Sequence, residues 1–69
     1  MRLHVFKDAA GEQRWTFIAD NNRKVADSGE GYNHRQDALA GFALVRGVSV
    51  EELLSGEAGI QVDIDTDDE

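Results

Sequence analysis

The sequence predicts an α+β domain, an antiparallel sheet with a helix on one face, that works as a homodimer sharing its sheet. Three observations carry this prediction. The amino-terminal part alternates apolar and polar side chains with a period of two and is broken at Asp, Asn and Gly. A helical repeat follows and stops at Gly47. A last alternating stretch, Ile60, Val62 and Ile64, stands apart from the first strands and needs a sheet to join.

The elements follow in order. Residues 3–7 are β-branched and aromatic in character and end at Asp8-Ala9-Ala10-Gly11, where Asp and Gly supply turn geometry. Residues 13–19 alternate, with Trp15, Phe17 and Ala19 on one face and Arg14, Thr16 and Ile18 on the other. Asp20-Asn21-Asn22-Arg23 is the next turn, since Asn tolerates positive φ, and residues 24–28 form a short third strand. Asn33 with Gln36 reads as a capping box opening a helix over residues 34–46. Ala38, Gly41, Phe42 and Val45, flanked by Leu39, make its apolar stripe. Gly41 in that stripe costs about 1 kcal/mol against Ala, so its place implies a close approach. Ser49 with Glu52 repeats the capping box over a short helix before Gly56. Residues 60–64 then alternate as the last strand, with a charged outer face. The chain divides into a meander and helix (1–47), a short helical linker (48–56), a carboxy-terminal strand (57–65) and a frayed acidic tail (66–69).

Size explains why a second copy is expected. A domain of 69 residues buries only about 60% of its unfolded surface, and a core this small roughly breaks even against chain entropy. Without cysteine there is no disulfide and no thiolate zinc site, which leaves oligomerisation. The last strand follows a linker of roughly ten residues. It either pairs within its own subunit or adds to the sheet of a partner.

The formal charge is −7, and from Glu51 onward there are eight acids and no Lys or Arg. Asp outnumbers Glu and Lys occurs only twice, which reads as an acid-covered surface suited to high salt, where self-repulsion is screened. No run of about 18 apolar residues spans a bilayer, and residues 1–10 lack a secretory pattern. The expected location is the cytoplasm.

Taken together, Asp8 and Gly11, Arg14-Trp15, Phe17, Ala19 and Asn21, then Ser28-Gly29-Glu30-Gly31-Tyr32 before an Ala-rich helix, resemble the YegP-like family of uncharacterised small domains. The resemblance covers residues 3–45. It implies a β-β-β-α-β unit in its single-unit, homodimeric form with exchanged carboxy-terminal strands, and it brings no catalytic residue. Asn22, where the family usually has Gly, and the acidic extension after Gly47 depart from the pattern.

Each candidate site has a plainer reading beside it. Asp63, Asp65 and Asp67 resemble the start of a calcium loop but lack its Gly and closing Glu, so a solvated strand edge is the better account. His4 and His34 are the only imidazoles, and no metal or cofactor is expected. Ser28, Glu30, Tyr32 and His34 offer a nucleophile, a carboxylate and a base, yet no nucleophile elbow surrounds them. Arg14, Arg23, Lys24 and Arg35 near Trp15 suggest a nucleic-acid face, which the net charge and the opposite orientation of Arg14 and Trp15 oppose. Phe6 and Ile18 on the other sheet face would make a contact patch if uncovered. The expectation is a non-enzymatic homodimeric binding or accessory module. Its candidate partner contacts are Arg14, Ser28, Glu30, Tyr32 and Arg35, and its dimer strand is Ile60, Val62 and Ile64. The alternative is a small-ligand or nucleic-acid binder at the dimer seam or open sheet face.

Overall fold

The computed structural model describes residues 1–65. It is an α+β fold in the order β1 (Arg2–Lys7), β2 (Gln13–Ile18), β3 (Lys24–Asp27), α1 (Arg35–Arg46), α2 (Val50–Ser55) and β4 (Gln61–Asp65). The frayed tail expected over residues 66–69 lies outside the described residues.

Alternation decides the two faces of the sheet. Leu3, Val5, Gln13, Trp15 and Phe17 are buried, while Arg2, His4, Phe6, Arg14, Thr16 and Ile18 are half-buried on the opposite face. The register pairs Leu3 with Phe17 and Val5 with Trp15, so the apolar side chains stack in rows. The turn into β3 places Asn22 at φ 68°, as its position in the sequence predicts. β3 itself is four residues long, entirely exposed, and offset from β2 by a bulge.

The strand order is β3-β2-β1-β4. Here the expectation of an antiparallel sheet is corrected, because β4 runs parallel to β1, with Leu3 beside Val62 and Val5 beside Ile64. The cause is the path of the chain. The two helices carry it back to the end where β1 begins, and the Gln61 N–H donates to the Met1 carbonyl at 3.0 Å. β4 thus joins β1 of its own chain in a mixed sheet, anchored by the buried Ile60 just before it.

The core of this single layer pair is Phe42, which meets Trp15 edge-on at 5.1 Å and Phe17 at 5.0 Å. Ala38, Leu39, Phe42 and Ala43 form the buried stripe of α1. Val45, expected in that stripe, is 73% exposed. The inward direction drifts toward Ala43 as the helix advances, so the position seven residues after Ala38 falls to one side. The capping box expected at Asn33 is also absent. His34 is the N-cap and makes no side-chain cap bond, so α1 begins one residue later than the sequence suggests. The box at Ser49 does form, with Ser49 Oγ accepting from the Glu52 N–H at 3.0 Å and Glu52 Oε1 accepting from the Ser49 N–H at 2.9 Å.

The close approach anticipated at Gly41 is real. A Cβ there would lie 2.4 Å from the Tyr32 hydroxyl and 2.9 Å from the ring carbon that bears it. Tyr32 lies across the helix because its backbone pairs with Gln13 on β2. The Gly41→Ala change should therefore lose most of the roughly 1 kcal/mol that helix propensity offers, yet stabilise a Tyr32→Ala background by about that amount. Urea unfolding of the four proteins tests this double-mutant cycle, and equal effects in both backgrounds would show that Tyr32 does not occupy the notch.

Candidate functional site

The residues marked as candidates in the sequence fall in separate places, and Arg14, Ser28 and Tyr32 among them hold the fold. The β1–β2 turn is organised by Asp8. One carboxylate oxygen accepts from the Ala10 and Glu12 N–H groups at 2.9 Å each, and the other accepts from Arg14 Nε at 2.5 Å. The Arg14 hydrogen bond, reinforced by the Glu12 backbone N–H, holds the Asp8 carboxyl below its ordinary range, and the same pair raises Arg14. Arg14 is thus committed to a turn.

Ser28 is buried, and its hydroxyl accepts the Trp15 N–H at 3.2 Å while its own N–H donates to the Trp15 carbonyl at 2.9 Å. It extends the β2–β3 pairing one residue past the strand. Gly31 follows where a Cβ would sit 2.6 Å from the Cβ of Glu12, a clash that no rotamer change relieves. Tyr32 then pairs with Gln13 through two backbone bonds of 2.7 and 2.8 Å. The Ser-Gly-Glu-Gly-Tyr run is therefore a clasp along the edge of β2. Glu30 is exposed on it, and His34 leaves it as the helix cap. Their side chains, with those of Ser28 and Tyr32, share a segment without forming a nucleophile–base pair among the described hydrogen bonds.

Arg35 lies elsewhere, at the start of α1, on the helical layer. Arg14 faces the open side of the sheet, so the two cations expected to share a binding face do not share one. That open face carries Arg2, His4 and Phe6 of β1 beside Arg14, Thr16 and Ile18 of β2, all half-buried, with no helix over them among the described residues. His4 stacks on Phe6 at 5.2 Å. Along its β4 margin Arg2 approaches Asp63 at 3.5 Å and His4 approaches Asp65 at 3.8 Å. Asp63 and Asp65 therefore act as strand-edge carboxylates, one facing the Arg2 guanidinium and the other the His4 imidazole. Asp67 lies outside the described residues, and among the described residues no group of three His, Cys, Asp or Glu side chains is placed to hold a metal ion. No described helix is long and apolar enough to cross a membrane.

Sequence reading missed one feature of this region. Gln13 Oε1 and Trp15 Nε1 are buried without a hydrogen-bond partner among the described residues, on the same inner face two residues apart. The signal was present, since Gln13 falls on the apolar side of the alternation of β2.

The family model described as a domain of unknown function, DUF1508, matches residues 8–54. The match runs from the Asp8 turn through the clasp and both helices. The chain belongs to this family. A solution NMR structure of a protein from Haloferax volcanii is similar to it, at 44% sequence identity over 65% of this chain and 75% of that one, with a TM-score of 0.62. Among curated proteins none matches the chain. The matched residues end before β4, so the strand that closes the sheet on β1 lies outside the part of the chain that the family model matches.

Two outcomes are expected of the DUF1508 clasp and turn. Ser28→Ala leaves the Trp15 N–H without its acceptor and should destabilise by about 1–3 kcal/mol, seen as a lower urea midpoint at unchanged slope. Because folding lowers the Asp8 pKa, its contribution is present above the ordinary carboxylate value of 3.8 and is lost as pH falls through the lower folded value. Asp8→Asn should accordingly flatten the acid limb of the stability curve between pH 3.8 and the folded pKa, and an unchanged limb would show that the Asp8–Arg14 pair is loose in solution.

Proposed function

We propose that this DUF1508 protein is a non-enzymatic homodimeric module of a salt-adapted cytoplasm, acting as a binding or accessory protein, stress-related in role. The observation that carries the reading is the employment of its reactive side chains. Ser28 caps a strand and Arg14 braces a turn, whereas an open sheet face with Phe6 and Ile18 remains available for contact. The acid excess and the similarity to a protein from Haloferax volcanii support the salt-adapted part. Within the family, the Arg14-Trp15 pair and the Ser28–Tyr32 run support the finer YegP-like assignment.

In this reading two copies exchange β4. Exchange would re-create the β1–β4 register between chains at no loss of contacts, with residues 56–60, where Gly56 and Gly59 adopt positive φ, opening as the hinge. A nucleic-acid role is less well supported, because Arg14 is tied to Asp8 and Arg35 lies on the other layer.

Sedimentation at micromolar concentration in high salt should give twice the chain mass of 7.6 kDa, and a folded monomer throughout would sink the dimer. Truncation after Gly56 should abolish dimerisation and most of the fold. A stable truncated dimer would show that the seam lies elsewhere.

A further inference from the structure

Two polar atoms lie inside the molecule on the face of β2 that α1 covers. Gln13 is 2% and Trp15 4% exposed, and Gln13 Oε1 and Trp15 Nε1 have no hydrogen-bond partner among the described residues. The pair is complementary. The indole N–H can only donate, and the amide oxygen can only accept. Both residues fall on the inward side of the strand's alternation, which sets them about 6.6 Å apart along it.

Burial makes such a pair costly to leave as it is. A buried polar group without a partner lowers the folding constant by about fivefold to a hundredfold. Two of them could remove up to about four orders of magnitude from the roughly 10³–10⁸ usual in small domains. Bulk solvent does not reach either atom, and Phe42, which meets the Trp15 ring edge-on at 5.1 Å, offers no acceptor. One small molecule can satisfy both. A water that accepts from the indole and donates to the amide spans about 5.8 Å with two bonds of about 2.9 Å, and holding it costs at most about thirtyfold. The helical layer is thin toward this end of β2. α1 enters from here, because Tyr32, which pairs with Gln13, comes two residues before the N-cap His34. Ala38, the buried residue one turn before Phe42, contributes only a methyl group to that end.

We propose that a single internal water binds between Gln13 and Trp15 and joins the two side chains beneath α1. The site is separate from the open sheet face and from β4 exchange, and it holds for one copy of the chain or two. It also accounts for a polar residue at an inward position of β2.

The chain has one Trp, so its indole N–H gives a single resonance in the isotope-labelled full chain. Trp15 Hε1 should show a cross-peak at the water frequency in both NOESY and ROESY spectra, with opposite signs in the two, as a long-held water gives. Equal signs, which mark exchange of the indole proton with solvent, overturn the inference, and so does the absence of a cross-peak. Tyr32→Phe and Ser28→Ala remove the hydroxyl protons of two residues packed near the indole, and the cross-peak should persist in both. Its loss in either would assign it to relay through that hydroxyl and reject the water. Gln13→Met keeps the side-chain length and removes the acceptor. It should abolish the cross-peak and lower the folding constant by about fivefold to a hundredfold in urea unfolding. A cross-peak that survives in folded Gln13→Met overturns the bridge, and should that variant not fold, the signs in the unsubstituted chain decide.

Discussion

Everything in this fold depends on the seating of Phe42 between Trp15 and Phe17. A two-layer domain this small has room for one helix against the middle of its sheet, and that helix is useful only if its stripe meets the apolar rows of β1 and β2. The Trp15 and Phe17 rings, at 5.1 and 5.0 Å from that of Phe42, supply a large share of the burial available to such a chain. Leu3 and Val5 below and Ala38, Leu39 and Ala43 beside them fill the remaining space. The margins follow from this centre. β3 lies beyond the reach of α1 and stays exposed, and β4 is covered only by the short α2.

The segment with the most chemical appearance is a joint. Ser28 completes the pairing with Trp15, Gly31 lets the backbone pass Glu12, and Tyr32 pairs with Gln13 and rests its ring where Gly41 leaves space. Ser28, Gly31 and Tyr32 are each set by a steric or hydrogen-bonding demand, which accounts for a Ser, a Gly and a Tyr so close together. Arg14 is explained in the same way by Asp8. Among the described residues, the sheet face opposite the helices and the corner by Ile64 are left incompletely covered.

Much of this was legible beforehand for local reasons. The strand character of β1, alternation over β2, positive φ at Asn22, the helix stop at Gly47 and the Ser49 capping box depend on residues close in sequence, and each appears as read. Gly41 was legible as a close approach, although its partner was not, because Tyr32 reaches it only through the pairing of a distant segment with β2. The start of α1 was misplaced because a capping box at Asn33 is a propensity, and the clasp that fixes Tyr32 decides where the helix begins. Val45 was misassigned for a related reason: the inward direction of a helix is set by the surface it meets. Of the candidate site residues, none could be sorted into structural and available groups until burial and partners were known.

By itself, therefore, the sequence determined the kinds of element, their order and the faces they bury, since these rest on side-chain periodicity and turn chemistry that act over a few residues. Only the tertiary structure decided that β4 runs parallel to β1, that Arg14 and Arg35 lie on different layers, and that one corner of the apolar face stays open. Those outcomes depend on where two helices of unequal length carry the chain across a four-stranded sheet. No local pattern records that geometry.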